Sequence, residues 1–193
     1  IVGQSQNITW TRTGSIANVK LEYSTNSGLA YPNVIIASTP AAAGTYGWTI
    51  PDAIGSQLRV RVTDVSDATV NDASDANFTV KGSLTMTAPN GGEAWVVSSS
   101  HDITWTKTGT IATVKLEYST NGFADELQNF LIAASVIATT GTPYSWLIPD
   151  APSATVKVRI SDVSDATVYD LSNANFSIKG SLTITVPNGT ETW

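Results

Sequence analysis

Lys81-Gly82-Ser83-Leu84-Thr85-Met86-Thr87-Ala88-Pro89-Asn90-Gly91-Gly92-Glu93-Ala94-Trp95 decides the reading of this chain, because it returns almost unchanged from Lys179 to Trp193. In the first copy Leu84, Met86 and Ala88 alternate with Thr85 and Thr87, the period of a half-buried strand, and Pro89-Asn90-Gly91-Gly92 then breaks it. Leu182, Ile184 and Val186 repeat the alternation ahead of Pro187-Asn188-Gly189. A strand with one apolar face must pair and bury that face, yet the second copy is not followed by the domain it should open. The expectation is that this spare strand is used by something other than its own unit.

Working outward, Asn7-Ile8-Thr9-Trp10 matches Asp102-Ile103-Thr104-Trp105, and Val19 to Asn26 matches Val114 to Asn121 at the same spacing. From Trp48 against Trp146 the spacing is wider, which puts a short insertion between Asn121 and Trp146 in the second copy. The repeating unit is about 98 residues long, far above the size of solenoid repeats, so each copy should be a whole domain. The expected division is residues 1–82, a sandwich whose opening strand is missing; 83–179, a complete sandwich; and 180–193, a strand destined for a further domain or subunit. Joining Trp193 of one copy to Ile1 of another would regenerate the internal sequence, as in a circular permutation of two units.

Within the complete unit, strands are expected at Leu84–Ala88, Asp102–Thr106, Thr113–Ser119, Phe130–Val136 and Tyr144–Ile148, around Val156, Val158 and Ile160, and at Asn175–Lys179. Val114, Leu116 and Tyr118 should face inward, and the Phe130–Val136 strand reads as more uniformly apolar. No window carries a sustained 3.6-residue apolar period with caps. Seven short strands separated by polar turns define the expected class, all-β, as two tandem immunoglobulin-like or fibronectin-like β-sandwiches.

Composition narrows the function. With 193 residues, 41% of them hydrophobic and 13% charged, the chain can bury two cores, and it has no apolar run near the roughly 20 residues of a membrane helix. A formal charge of −6 without a basic cluster argues against nucleic acid as a partner. The absence of cysteine removes disulfides, thiolate metal sites and thiol nucleophiles. The chain begins at Ile1 with no charged and apolar leader, which reads as a mature or excised segment.

The ordered series Pro89-Asn90-Gly91-Gly92-Glu93-Ala94-Trp95, Ile103-Thr104-Trp105, Val114-Lys115-Leu116-Glu117-Tyr118-Ser119-Thr120, Trp146-Leu147-Ile148-Pro149-Asp150 and the Ser161-to-Phe176 stretch resembles the Ser-Thr-rich, GPI-anchored membrane family of immunoglobulin-like domains. That family includes fungal proteins of cell-wall β-1,6-glucan assembly and also occurs as tandem modules in bacterial and archaeal secreted and surface proteins. The resemblance implies an extracellular, non-enzymatic module of surface structure or adhesion.

Site candidates fall into three groups. For the subunit joint they are Leu182, Ile184 and Val186 as apolar knobs, Trp193 as terminal anchor, and Ile8 and Trp10 on the receiving unit. Trp10, Trp48, Trp105 and Trp146 share the parity of neighbouring isoleucines and belong to the core, while Tyr31, Tyr46, Tyr144 and Tyr169 lie nearer loops and are the candidates for glycan contact. Asp64, Asp67 and Asp72, and Asp162, Asp165 and Asp170, offer the oxygen ligands calcium prefers, and the same residue types cap turns; calcium is the one cofactor considered.

Nothing points to catalysis. His101 is the sole histidine and its counterpart is Gln6, and the carboxylates Glu22/Glu117, Asp52/Asp150, Asp64/Asp162 and Glu93/Glu191 recur in both units as structural residues would. The expected function is structural: a head-to-tail filament, sheath or surface array built by β-strand addition, with copies of itself or neighbouring tandem domains as partners. The alternative is a carbohydrate-binding or adhesive module of a larger surface protein, with surface polysaccharide as its partner.

Overall fold

The computed structural model describes residues 1–190 and 192. It contains two compact units: Ile1–Ser83 together with Thr108–Thr110, and the remainder of the chain from Leu84.

Unit 1 is made of β1 (Ser5–Thr9), β2 (Asn18–Ser24), β3 (Asn33–Pro40), β4 (Thr45–Thr49), β5 (Gly55–Asp64), β6 (Asn71–Ala73) and β7 (Phe78–Val80), with a 3-10 turn at Ala41–Ala43. One sheet is the antiparallel pair β1–β4, in which Ile8 lies opposite Tyr46 and Gln6 opposite Trp48. The other runs β3–β2–β5, with β6 and β7 both added to β5. The two inner faces meet at a core of Trp48, Ile50, Leu58 and Val80, against which Ile8, Tyr23, Val60 and Phe78 are only partly buried.

Unit 2 follows with β8 (Ser83–Ala88), β9 (Ala94–Val96), β10 (Ser100–Thr108), β11 (Thr113–Ser119), β12 (Asn129–Ile137), β13 (Tyr144–Leu147), β14 (Ser153–Asp162), β15 (Tyr169–Leu171) and β16 (Phe176–Lys179), and a 3-10 turn at Glu126–Gln128. Its sheets are β13–β10–β8 and β12–β11–β14–β16–β9, with β15 also on β14. The alternation of β11 buries Val114, Leu116 and Tyr118, and these meet Ile103, Trp105 and Trp146 of the facing sheet in one core. Each unit is an all-β sandwich of the immunoglobulin-like or fibronectin-like kind, and the only helical pieces among the described residues are the two 3-10 turns.

Two features depart from the sequence reading. The strand read as uniformly apolar, β12, is an edge strand, and Phe130, Leu131 and Ile137 are exposed on it. Its run of apolar residues reflects β-propensity on a sheet margin rather than burial on both faces. The short strands β6, β9 and β15 were not expected; each has three residues, too few for a periodic signal.

β9 matters most, because it moves the chain from one sheet to the other. Pro89 to Gly92 make the corner, where the backbone N–H groups of Asn90 and Gly91 donate to the Glu93 carboxylate at 2.8 and 2.9 Å. Gly91 sits at φ 120°, and a Cβ there would come within 2.5 Å of Ala174 Cβ, so the corner requires glycine. Beyond it β9 runs parallel to β16 with Trp95 opposite Ile178. The buried Trp95 ring lies 4.9 Å from Phe176 and 4.4 Å from His101, stacked on the latter.

Candidate functional site

The two units can be compared position by position, and they differ along one line. In unit 2, β8 lies beside β10 and seals the core with Leu84 and Met86, which are 6% and 1% exposed. The counterpart of β10 in unit 1 is β1, and no described strand of unit 1 stands on its other side. Ile103 and Trp105 are buried in the same core as Leu84 and Met86, whereas their counterparts Ile8 and Trp10 are half-buried. Phe78 is likewise half-buried where Phe176 is buried, and Val70 is 45% exposed where Val168 is 7% exposed.

This exposure forms a groove. One part, of about 390 Å3, is lined by residues that include Ile8, Trp48, Ile50, Val60, Phe78 and Val80. A second, of about 270 Å3, continues past Ile8 and Trp10 to Val62, Asp72 and Ser74, and a third, of about 230 Å3, extends from Trp10 to Ile16, Val19 and Val70. The β1 edge beside it has backbone groups facing away from β4, the arrangement that templates strand addition. The Trp10 indole N–H is itself satisfied, donating to the Ala41 carbonyl at 3.0 Å.

Residues 180–190 form no strand, and Leu182, Ile184 and Val186 are 104%, 73% and 65% exposed. These are the counterparts of Leu84, Met86 and Ala88, the residues that complete unit 2. Trp193, the expected anchor, lies outside the described residues, as does Glu191. Its counterpart Trp95 is held by β9 and by its ring contacts. The contacts that hold it, a short parallel strand and a stacked histidine, left no signal beyond the tryptophan itself.

The remaining candidates are placed as follows. Tyr46 and Tyr144 pack against the core of their own unit, and the Arg61 guanidinium covers the Tyr31 ring at 4.3 Å. Tyr169 is 54% exposed and borders a cleft of about 350 Å3 with Lys115, Glu117, Arg159 and Ser161.

The aspartates work mainly as turn formers. Asp64 accepts from the N–H and hydroxyl of Ser66, Asp67 from those of Thr69, Asp162 from those of Ser164, and Asp165 from those of Thr167. Asp170 accepts the Met86 backbone N–H at 2.7 Å. Asp72, its counterpart, lines the groove. Among the described residues no group of three or more acidic or histidine side chains converges as a metal site would require, so the six calcium candidates are not brought together as a ligand set.

Glu22 and its counterpart Glu117, read above as recurring structural carboxylates, are held in ion clusters. Lys20 and Arg61 approach Glu22 at 2.8 and 3.0 Å, and Lys115 and Arg159 approach Glu117 at 2.6 and 2.9 Å. Burial pushes both carboxyls up, but hydrogen bonds and charge from these cations outweigh it and hold them below their ordinary value. A carboxylate so held is a poor proton donor near neutrality. The Ser99 hydroxyl, 3.0 Å from His101 Nε2, donates to the Val96 carbonyl, which commits its proton to the backbone.

No family model matches the chain, and no curated protein matches it. Among solved structures it is similar to a chain from a structure of the Clostridium thermocellum CbhA fibronectin(III)-like modules, with 19% identity over 93% of this chain and 87% of that one. The TM-score is 0.36, and a superposition that loose carries no argument about either fold or activity.

Proposed function

We propose that the chain is a structural module in which like units join head to tail, segment 180–190 of one copy entering the groove of the next as a strand beside β1. The observation that carries this is internal to the chain: one fold occurs with the position filled, in unit 2, and with it open, in unit 1, and the exposed segment has the sequence of the filling strand. The interaction is strand augmentation, in which main-chain bonds give affinity and alternate side chains in pockets give specificity. Burying apolar side chains such as Leu182 and Ile184 contributes about 1.5–3 kcal/mol each. Acceptor and donor are different surfaces, so the joint is heterologous and propagates in series. An extracellular, non-catalytic setting for such an array rests on the motif resemblance given above.

Sedimentation across a concentration series tests this. The chain should grow in mass with concentration, while Leu182→Asp/Ile184→Asp/Val186→Asp should stay monomeric with an unchanged melting temperature. A variant that associates like the parent, or a parent that stays monomeric, would reject the proposal.

A second reading attaches to Tyr169, an exposed aromatic face beside a cleft with both charge signs, a surface suited to stacking on a sugar ring. Its counterpart in unit 1 is Asn71, so a glycan would bind once per chain. Saturable binding on a glycan array that Tyr169→Ala abolishes is the expected result, and binding indifferent to that change would remove this reading.

A further inference from the structure

The corner that follows β8 is held in unit 2 by polar contacts whose counterparts in unit 1 are in place without an occupant. Three of them converge on one short stretch. Asp170 accepts the Met86 N–H at 2.7 Å, the Ser172 hydroxyl donates to the Pro89 carbonyl at 2.7 Å, and the Ala174 N–H donates to the Asn90 carbonyl at 3.2 Å. The residues at these positions in unit 1 are Asp72, Ser74 and Ala76, identical in all three cases. Ser74 even keeps the other half of its role: its oxygen accepts the Val60 N–H at 3.1 Å, as the Ser172 oxygen accepts that of Val158 at 3.1 Å. In unit 2 the remaining hydroxyl proton goes to Pro89. In unit 1 no hydrogen bond to the Asp72 carboxylate and no acceptor for the Ser74 proton occurs among the described residues, and both side chains line the groove beside Ile8 and Trp10.

We infer that Asp72 and Ser74 form a polar latch that reads the incoming strand and fixes its register, Asp72 accepting the backbone N–H of Ile184 and Ser74 donating to the carbonyl of Pro187 in a second copy of this chain. This deepens the strand-addition proposal and rests on it. The apolar knobs alone do not set the register along the strand, since a slip by two residues returns a side chain to the same face. A carboxylate that must meet a main-chain N–H, and a hydroxyl that must meet the carbonyl of a proline three residues later, admit one alignment. The latch therefore selects strands with an apolar residue three positions before Pro-Asn-Gly.

The acceptor for the test is the full chain carrying Leu182→Asp/Ile184→Asp/Val186→Asp, and the probe is a fluorescent peptide of residues 180–193. Asp72→Ala and Ser74→Ala should each weaken peptide binding by about tenfold or more, the scale of a lost hydrogen bond to a charged or buried group. A peptide N-methylated at Ile184 should bind equally weakly to the parent acceptor and should lose nothing further on Asp72→Ala, because both changes remove the same bond. The N-methyl probe leaves the protein untouched and so separates recognition from any effect of Ser74→Ala on folding. Peptide that binds with unchanged affinity to both acceptor variants overturns the latch and leaves strand addition standing. Peptide that fails to bind the parent acceptor at all overturns strand addition itself.

Discussion

At the scale of single residues, Gly91 and Gly189 share φ 120° and differ in what surrounds them. A Cβ at Gly91 would strike Ala174, whereas one at Gly189 would meet nothing within 4 Å. In the proposed joint, Gly189 would lie against Ala76, the counterpart of Ala174. Gly189→Ala should therefore abolish the chain's concentration-dependent growth in sedimentation while a thermal melt still shows both units folded; growth at the parent level would show that this corner does not dock. Residue-scale reading of the sequence succeeded where parity alone decides burial, as at Trp48, Trp105 and Trp146. The same parity sends Trp10 toward the core, yet its ring is half-buried, in keeping with its place on the receiving unit, where no described strand stands beyond β1. Tyr46 and Tyr144 were read as lying nearer loops. Each lies at the end of a strand, where packing against the core depends on the facing sheet.

At the scale of elements, the pairing of β2 with β5 and of β11 with β14 sets Glu22 opposite Arg61 and Glu117 opposite Arg159. Lys20 and Lys115, two residues before each glutamate on the same face, complete the clusters. Since both carboxyls are held below their ordinary value of 4.5, the unfolded chain binds protons more readily than the folded one as pH falls. The stability these clusters contribute is fully present above about pH 4.5 and is lost as pH descends through the lowered folded values. Melting temperatures measured between pH 7 and pH 3 should fall over the acid end of that range. Glu22→Gln/Glu117→Gln should melt lower at pH 7 and show a shallower acid decline; an equally steep decline would place the acid sensitivity elsewhere. The long strands that build these pairs were legible because two-residue alternation persists over seven or more positions, as in β11. β12 shows the limit of that signal, since an edge strand and a central strand draw on the same β-branched and aromatic residues.

At the scale of the molecule, the proposed acceptor, the groove of unit 1, and the proposed donor, segment 180–190, are different surfaces of one chain, and this asymmetry separates serial joining from any two-fold association. In an isologous dimer one lesion impairs both copies of the contact, whereas in a heterologous joint a chain defective in one surface retains the other. Ile8→Asp places a charge in the apolar groove and should disable the acceptor alone, while Gly189→Ala should disable the donor alone. Each variant by itself should sediment as a monomer. Mixed in equal amounts, they should form a dimer in which the sound donor of the Ile8→Asp chain fills the sound groove of the Gly189→Ala chain. Growth should stop there, because the two surfaces left over are the defective ones. Sedimentation of the mixture measures this directly, and thermal melts of the separate variants establish that both are folded. A mixture that stays monomeric would remove the joint from the account of this fold. One that grows beyond two chains would show that surfaces other than the groove and segment 180–190 carry the association.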